Sequence, residues 1–302
     1  MKMKIGLSLA WTYLAGNSSG RCSNKWTDFF GDSPDFLGLL EKGPVSTIEF
    51  RHFDEVEDQK TIHDAARAIA DTSFNATIHG DIDYKDMDRD FFDVFPWYEI
   101  LMTHIPEKIK DTIITVHPVL SPEKDIIKSG ELTVRLIDFL LNFTEKKNIP
   151  VSFALEIQRD KGRNDPGTTY WGLIELYRKI NHPRLGLNWD MGHSQSNNLQ
   201  GKLPPFPEES FLGNVNHTHI HDLNPDGQTH WPLTEGRIPL MENIRKLERA
   251  GYEGIYNLEL ASDRFAHKEN AGDSILESIL ILKSTILKCK SEFSEKGASL
   301  AV

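Results

Sequence analysis

Apolar residues recur along this chain in two alternating rhythms, short β-type runs and longer stretches with apolar positions three and four apart. Lys4–Leu9 predicts a first strand. Val45–Phe50 predicts a second, and Asp58–Asp71 follows with Ile62, Ala65, Ala66 and Ile69 at helical spacing. Asn75–His79 reads as the third strand, followed by a loop rich in Asp and aromatics and a helix near Trp97–Lys108. Asp111–His117 reads as the fourth, closed by Pro118, and Ser121-Pro-Glu-Lys then opens a long helix with proline just inside its start. Val151–Glu156, Leu185–Asp190, Val215–His221 and Ile255–Glu259 complete the strands. Further helices are expected over Thr168–Ile180, Leu240–Ala250 and Asp273–Lys290, and the paired prolines Pro204 and Pro205 leave only a short one within 191–212.

With Phe36–Glu41 as the helix of the first unit, the chain reads as eight strand–helix units. Apolar strands alternating with amphipathic helices imply a parallel sheet covered by helices. Eight units in 302 residues match a single (β/α)8 TIM barrel, an α/β fold whose active site lies at the C-terminal ends of the strands. The competing fold is an open doubly wound sheet, but no glycine-rich phosphate turn follows the first strand. The expected domain is one barrel over 1–302, with 291–302 as a loose tail.

Composition narrows the class. Hydrophobic residues at 39% and charged residues at 26% suit a globular enzyme. The formal charge of −11 argues against a surface made to grip phosphate backbones, so nucleic acid is not the expected partner. No apolar run is long enough to span a bilayer. The opening MKMKIGLSLAWTYLAG has the basic-then-apolar order of a signal peptide, yet Ser8, Thr12 and Tyr13 interrupt it and no small-residue cleavage site follows. Cys22 and Cys289 stand at opposite ends in no metal or redox spacing, which points to a reducing compartment and a cytoplasmic protein.

The chemistry-bearing residues fall where a barrel's active site belongs. His79 ends the third strand, His117 the fourth, Glu156 the fifth, Asp190 the sixth, His219–Asp222 the seventh and Glu259 the eighth. Taken singly, each is as readily a capping or solvent-facing residue. Polar groups directly after six apolar runs are costly to bury unless paired or bound to a cation. Glu156, Asp190, His219 and Glu259 form the strongest set. Carboxylates with an imidazole suit Mn²⁺, Zn²⁺, Co²⁺ or Mg²⁺. His217, His219 and His221 share one face of a strand, with His217 deepest, and spacing alone leaves His219 and His221 both open as the ligand. His193 and His230 are further candidates, whose bland reading is a loop histidine in solvent.

The run His219-Ile-His-Asp222, Gly227, His230 and Pro232-Leu-Thr-Glu-Gly236 resembles the xylose isomerase-like barrel superfamily, which holds sugar isomerases and epimerases, inosose dehydratases and the endonuclease IV type of nuclease. The likeness extends from Lys4 to Glu259. It implies that Glu156, Asp190, His219 and Glu259 are the metal ligands, choosing His219 over His221, and that Glu156 and Glu259 double as catalytic acid–base groups. It also implies that His79, His117, His193, His221 and His230 surround substrate or further metal, so one ion is expected and up to three are allowed. Gln228 stands where the family has an aspartate ligand, and Thr234 replaces a glycine.

Together these features predict a metal-dependent isomerase or epimerase acting on a small carbohydrate-like substrate, with a homodimer as the default assembly. The alternatives are an endonuclease IV-like phosphodiesterase on abasic DNA, a dehydratase of the inosose type, and a barrel without activity. Gln228 and the −11 charge count against the nuclease. Retention of all four core ligand types counts against the inactive barrel.

Overall fold

The structure, a computed structural model, describes residues 3–17, 20–80, 91–105 and 112–299. The expected 81–90 loop, the helix end at Lys108, the strand start at Asp111 and the last residues of the tail lie outside these. Eight parallel strands close into a barrel in sequence order. They are β1 (Ile5–Ala10), β2 (Val45–Arg51), β3 (Asn75–Gly80), β4 (Thr112–Val116), β5 (Val151–Glu156), β6 (Leu185–Asp190), β7 (Val215–Ile220) and β8 (Tyr256–Leu258). Every strand end falls within one residue of its expected place, because strands buried on both faces read as short apolar runs with polar residues at either end.

The helices depart more. Between β1 and β2 lie Trp11–Leu14, Arg21–Phe30 and Ser33–Glu41, where only 36–41 was expected. The unforeseen Arg21–Phe30 buries Cys22 and Trp26, and Trp26 stacks near Phe36 at 5.9 Å. The long helix expected from Ser121 starts instead at Ile126. Asp125 caps it, accepting the N–H groups of Ile127 and Lys128, while Ser121 Oγ accepts the N–H of Asp125. Lys124, at φ 55°, could not continue a helix. The last helix runs from Ala271 to Ser299, so 291–299, expected as tail, carry helical backbone.

Alternation along the strands sorts the two faces. Leu7, Ile48, Ile78, Val116, Leu155, Leu187, Ile220 and Leu258 are buried beneath the helices, each contributing on the order of 1.5–3 kcal/mol. The intervening residues meet inside the barrel, and several are polar: Ser8, Glu49, Thr77, Thr115, Asn188, His217 and Asn257, all buried. A barrel interior is ordinarily filled by bulky branched residues. Here the layer beneath the mouth is a hydrogen-bonded polar one. Gly6 makes room for it, since a Cβ there would lie 2.3 Å from Asn257 Oδ1.

Candidate metal centre

The β6–β7 register pairs Asp190 with His219, so the ends of these strands deliver both residues at one depth. His79, Glu156, His219 and Glu259 present ligand atoms within 4.8 Å of one another, and all four are buried. His219 Nδ1 lies 3.1 Å from Glu156 Oε1 and 3.1 Å from Glu259 Oε2. His79 Nε2 lies 3.6 Å from Glu156 and 3.4 Å from Glu259. Its ring stacks on that of His219 at 5.1 Å.

Two carboxylate oxygens in this group, Glu156 Oε2 and Glu259 Oε2, are buried without a hydrogen bond. His117 Nε2 comes within 2.7 Å of Glu156 Oε2, an ion-pair approach outside hydrogen-bond direction. Arg51 closes the far side of Glu259, with Nε 2.8 Å from Oε1. Burial alone would raise both carboxyls. His117 and His219 hold Glu156 well below the usual carboxylate range, and Arg51 and His219 do the same for Glu259. Burial likewise opposes a charge on His219, but Glu49, Glu259 and Glu156 raise it well above the ordinary imidazole value. Without a metal, the His219 imidazolium is therefore the cation between the carboxylates. A divalent ion fits the same place, because it supplies the charge and takes up the orphaned oxygens.

Asp190 belongs to a second group, with His193, His221 and His230, joined to the first by His193 Nδ1, 3.2 Å from Asp190 Oδ2 and 3.6 Å from Glu156 Oε1. Its carboxylate caps the following helix by accepting the His193 N–H at 2.6 Å. Gly192 leaves space for His221, because a Cβ there would fall 1.9 Å from the ring. The protons in this group follow from partners that can act in one sense only. His221 Nδ1 accepts the backbone N–H of His230 at 2.9 Å, despite the Asp222 carbonyl 3.2 Å away. A neutral ring then carries its proton on Nε2, 3.1 Å from Asp190 Oδ2. Arg264 Nη1 lies 3.0 Å from His230 Nδ1, so the His230 proton sits on Nε2, facing Glu259 Oε1 at 3.5 Å. His193 Nδ1 faces the Ile157 carbonyl at 3.2 Å, which only accepts, and so donates, with Asp190 Oδ2 also 3.2 Å away. Burial lowers all three, His221 to about 4, which keeps the rings neutral. Asp190 is pushed up to about 8 by burial and, against His193, by Glu156 and Glu259.

Of the expected residues, Glu156, His219 and Glu259 thus converge together with His79, His117 touches them through Glu156, and Asp190 is gathered with His193, His221 and His230. Gln228 stays outside, exposed and tied to Asn224 through 2.8 and 3.1 Å hydrogen bonds. Asp222 is an anchor, accepting the N–H groups of Leu223, Arg237 and Ile238 and pinning the loop that carries His230. Reading strand ends overlooked Glu49 and Arg51. The available signal was a carboxylate inside the apolar run Val45–Phe50, a costly place unless paired.

A family model described as the xylose isomerase-like TIM barrel matches residues 102–285. The chain belongs to that family. An uncharacterised protein of Methanocaldococcus jannaschii is 27% identical over 168 residues, covering 53% of this chain and 55% of that one. The chain therefore spans little more than half the length of this curated relative. A D-tagatose 3-epimerase-like protein superposes with TM-score 0.65 at 16% identity, covering 97% of this chain and all of that one. The IOLI protein, solved with a zinc atom, superposes with TM-score 0.58 at 16% identity over 97% of this chain and 99% of its own. At such identities these two likenesses establish the fold. No helix among the described residues is long and apolar enough to cross a membrane.

Proposed function

We propose that this chain is a metal-dependent isomerase or epimerase of a sugar or related polyol, holding one divalent ion through Glu156, Asp190, His219 and Glu259. The observation that carries the proposal is His219 Nδ1, 3.1 Å from a carboxylate oxygen of both Glu156 and Glu259, with Glu156 Oε2 and Glu259 Oε2 buried and without a hydrogen bond. The family and the epimerase-like and zinc-containing neighbours support it as likeness. Bound there, the ion would polarise adjacent oxygens of a hydroxy-ketone and acidify the intervening C–H. Glu156 and Glu259 are the groups that take that proton and return it, at the same carbon for epimerisation or its neighbour for isomerisation. Arg51 keeps Glu259 ionised. His221 and His193 hold Asp190 by donating to it. The charge of −11 suits a small substrate better than a nucleic acid.

The three-ion nuclease reading draws on His79 and His117 beside Glu156. It is weakened by the outward Gln228 and by His221 and His230, whose Nδ1 atoms accept from the His230 amide and from Arg264 and whose protons therefore stand on Nε2. Metal analysis of the purified protein, followed by deuterium exchange from solvent into ketose substrates, tests the proposal. One ion per chain with exchange at carbon is expected. Close to three zinc ions with cleavage of abasic DNA overturns it, and elimination of water from the substrate would move the assignment to a dehydratase.

A further inference from the structure

We infer that Glu49, from the middle of β2, is a positioning residue that fixes His219 with its proton on Nε2 and so leaves Nδ1 to the metal. The inference rests on the preceding reading that His219 is a ligand. Glu49 has no solvent exposure, yet donors surround its carboxylate. Oε1 accepts from Ser8 Oγ at 2.7 Å and Asn257 Nδ2 at 2.8 Å. Oε2 meets His217 Nε2 at 2.8 Å, His219 Nε2 at 3.1 Å and Thr77 Oγ1 at 3.3 Å. A carboxylate so placed only accepts, so the His219 nitrogen facing it must carry hydrogen. The other nitrogen, Nδ1, lies between Glu156 and Glu259 and 3.0 Å from the Asn188 Nδ2 donor, so in the neutral ring it is the one without hydrogen.

The arrangement is a carboxylate–histidine–metal relay, which sets ring orientation and raises the basicity of the ligating nitrogen. The support reaches further down. Gly6 gives Asn257 its space, and Asn257 Nδ2 in turn holds Glu49 Oε1. His219 itself is braced against His79 by ring stacking. A network serving only to fill the barrel would not need its charge under the histidine whose Nδ1 lies 3.1 Å from both glutamates.

The test is the dissociation constant for Zn²⁺, measured by chelator competition on wild type, His219→Asn, Glu49→Gln and Glu49→Ala, with folding followed by circular dichroism. Glu49→Gln is expected to weaken binding about 10-fold and Glu49→Ala about 100-fold, the range for loss of such outer partners. Glu49 variants that fold and bind zinc like wild type overturn the inference. Should they fail to fold, nitrogen-15 NMR of the zinc-loaded wild type decides. A proton on His219 Nε2 with zinc on Nδ1 upholds it, and the reverse overturns it. Failure of the parent reading looks different, since wild type would then bind no zinc or His219→Asn would bind it equally well.

Discussion

Two histidine-and-acid clusters stand side by side at the barrel mouth, alike in composition and opposite in what their nitrogens do. In the cluster of His79, Glu156, His219 and Glu259, carboxylate oxygens are left without hydrogen bonds and an imidazole nitrogen points between them. In the cluster of Asp190, His193, His221 and His230, each ring turns an N–H toward a carboxylate, His221 and His230 because Nδ1 already accepts a hydrogen bond and His193 because its Nδ1 faces the Ile157 carbonyl. The first is short of positive charge and the second supplies hydrogen bonds. Residue type nominates a metal ligand, but the partner on the far side of the ring decides.

The largest test of this contrast strikes the first cluster. Glu156→Gln and Glu259→Gln each remove a charged ligand and keep the side chain's size. Metal affinity should fall by roughly 100-fold or more, well beyond loss of an outer partner, with catalysis lost as well. Equilibrium dialysis with elemental analysis reads this directly. If both variants held metal as wild type does, the site would have to be sought elsewhere.

How much of this was legible in sequence follows from the same physics. Strands were readable because, buried on both faces, they stand out as short apolar runs between polar and turn residues, and the strand-end residues were readable because each polar group follows such a run. The helix Arg21–Phe30 carried a signal that was overlooked, since Trp26, Phe29 and Phe30 fall four, seven and eight residues after Cys22 on one face. The start at Ile126 turned on a choice between two capping residues, which Asp125 won with two N–H contacts. Glu49 was hidden because one acid inside an apolar strand reads as an interruption until its partners on β1, β3, β7 and β8 are known. The tautomers were out of reach. They depend on the His230 backbone N–H and on Arg264, which only the folded chain brings to the rings.

Acid should separate the clusters next. His219 is raised above its ordinary value, so its contribution to the metal-free fold is full below about pH 6.5 and is lost as pH rises through the raised value. His221, depressed to about 4, behaves oppositely. Its contribution is full above about pH 6.5 and is lost as pH falls towards 4, an effect of up to about 3 kcal/mol. Urea titrations of chelator-treated protein between pH 7 and 4 should show less loss in His221→Gln than in wild type. An unchanged acid slope would mean that His221 is not held neutral.

Gly192→Ala probes the packing that places His221. The added methyl would overlap the ring, with the ideal Cβ 1.9 Å from Cε1. Overpacking of this kind costs about 1–3 kcal/mol, so thermal unfolding should move down by several degrees. Metal affinity should drop less than in the glutamate variants, because the ring displaced is a hydrogen-bond donor to Asp190. A stability equal to wild type would show that His221 has another place to go.

The smallest expected effect is also the most discriminating. If His193, His221 and His230 donate hydrogen bonds and do not bind metal, replacing any one with glutamine, which retains an N–H donor, should leave the metal count at one per chain. Affinity should change by less than about 10-fold, the lower end for an outer partner. Substrate turnover should fall more than metal binding in His230→Gln, because His230 faces Glu259 at 3.5 Å and is fixed by Arg264. A count falling from two ions to one in any of these variants would turn the second cluster into a metal site and erase the contrast. For His221 to be a ligand there, its Nε2 would have to give up its proton while Nδ1 still accepts from the His230 amide. That ring would then be an anionic imidazolate, a state that burial beside Asp190 and Glu259 opposes.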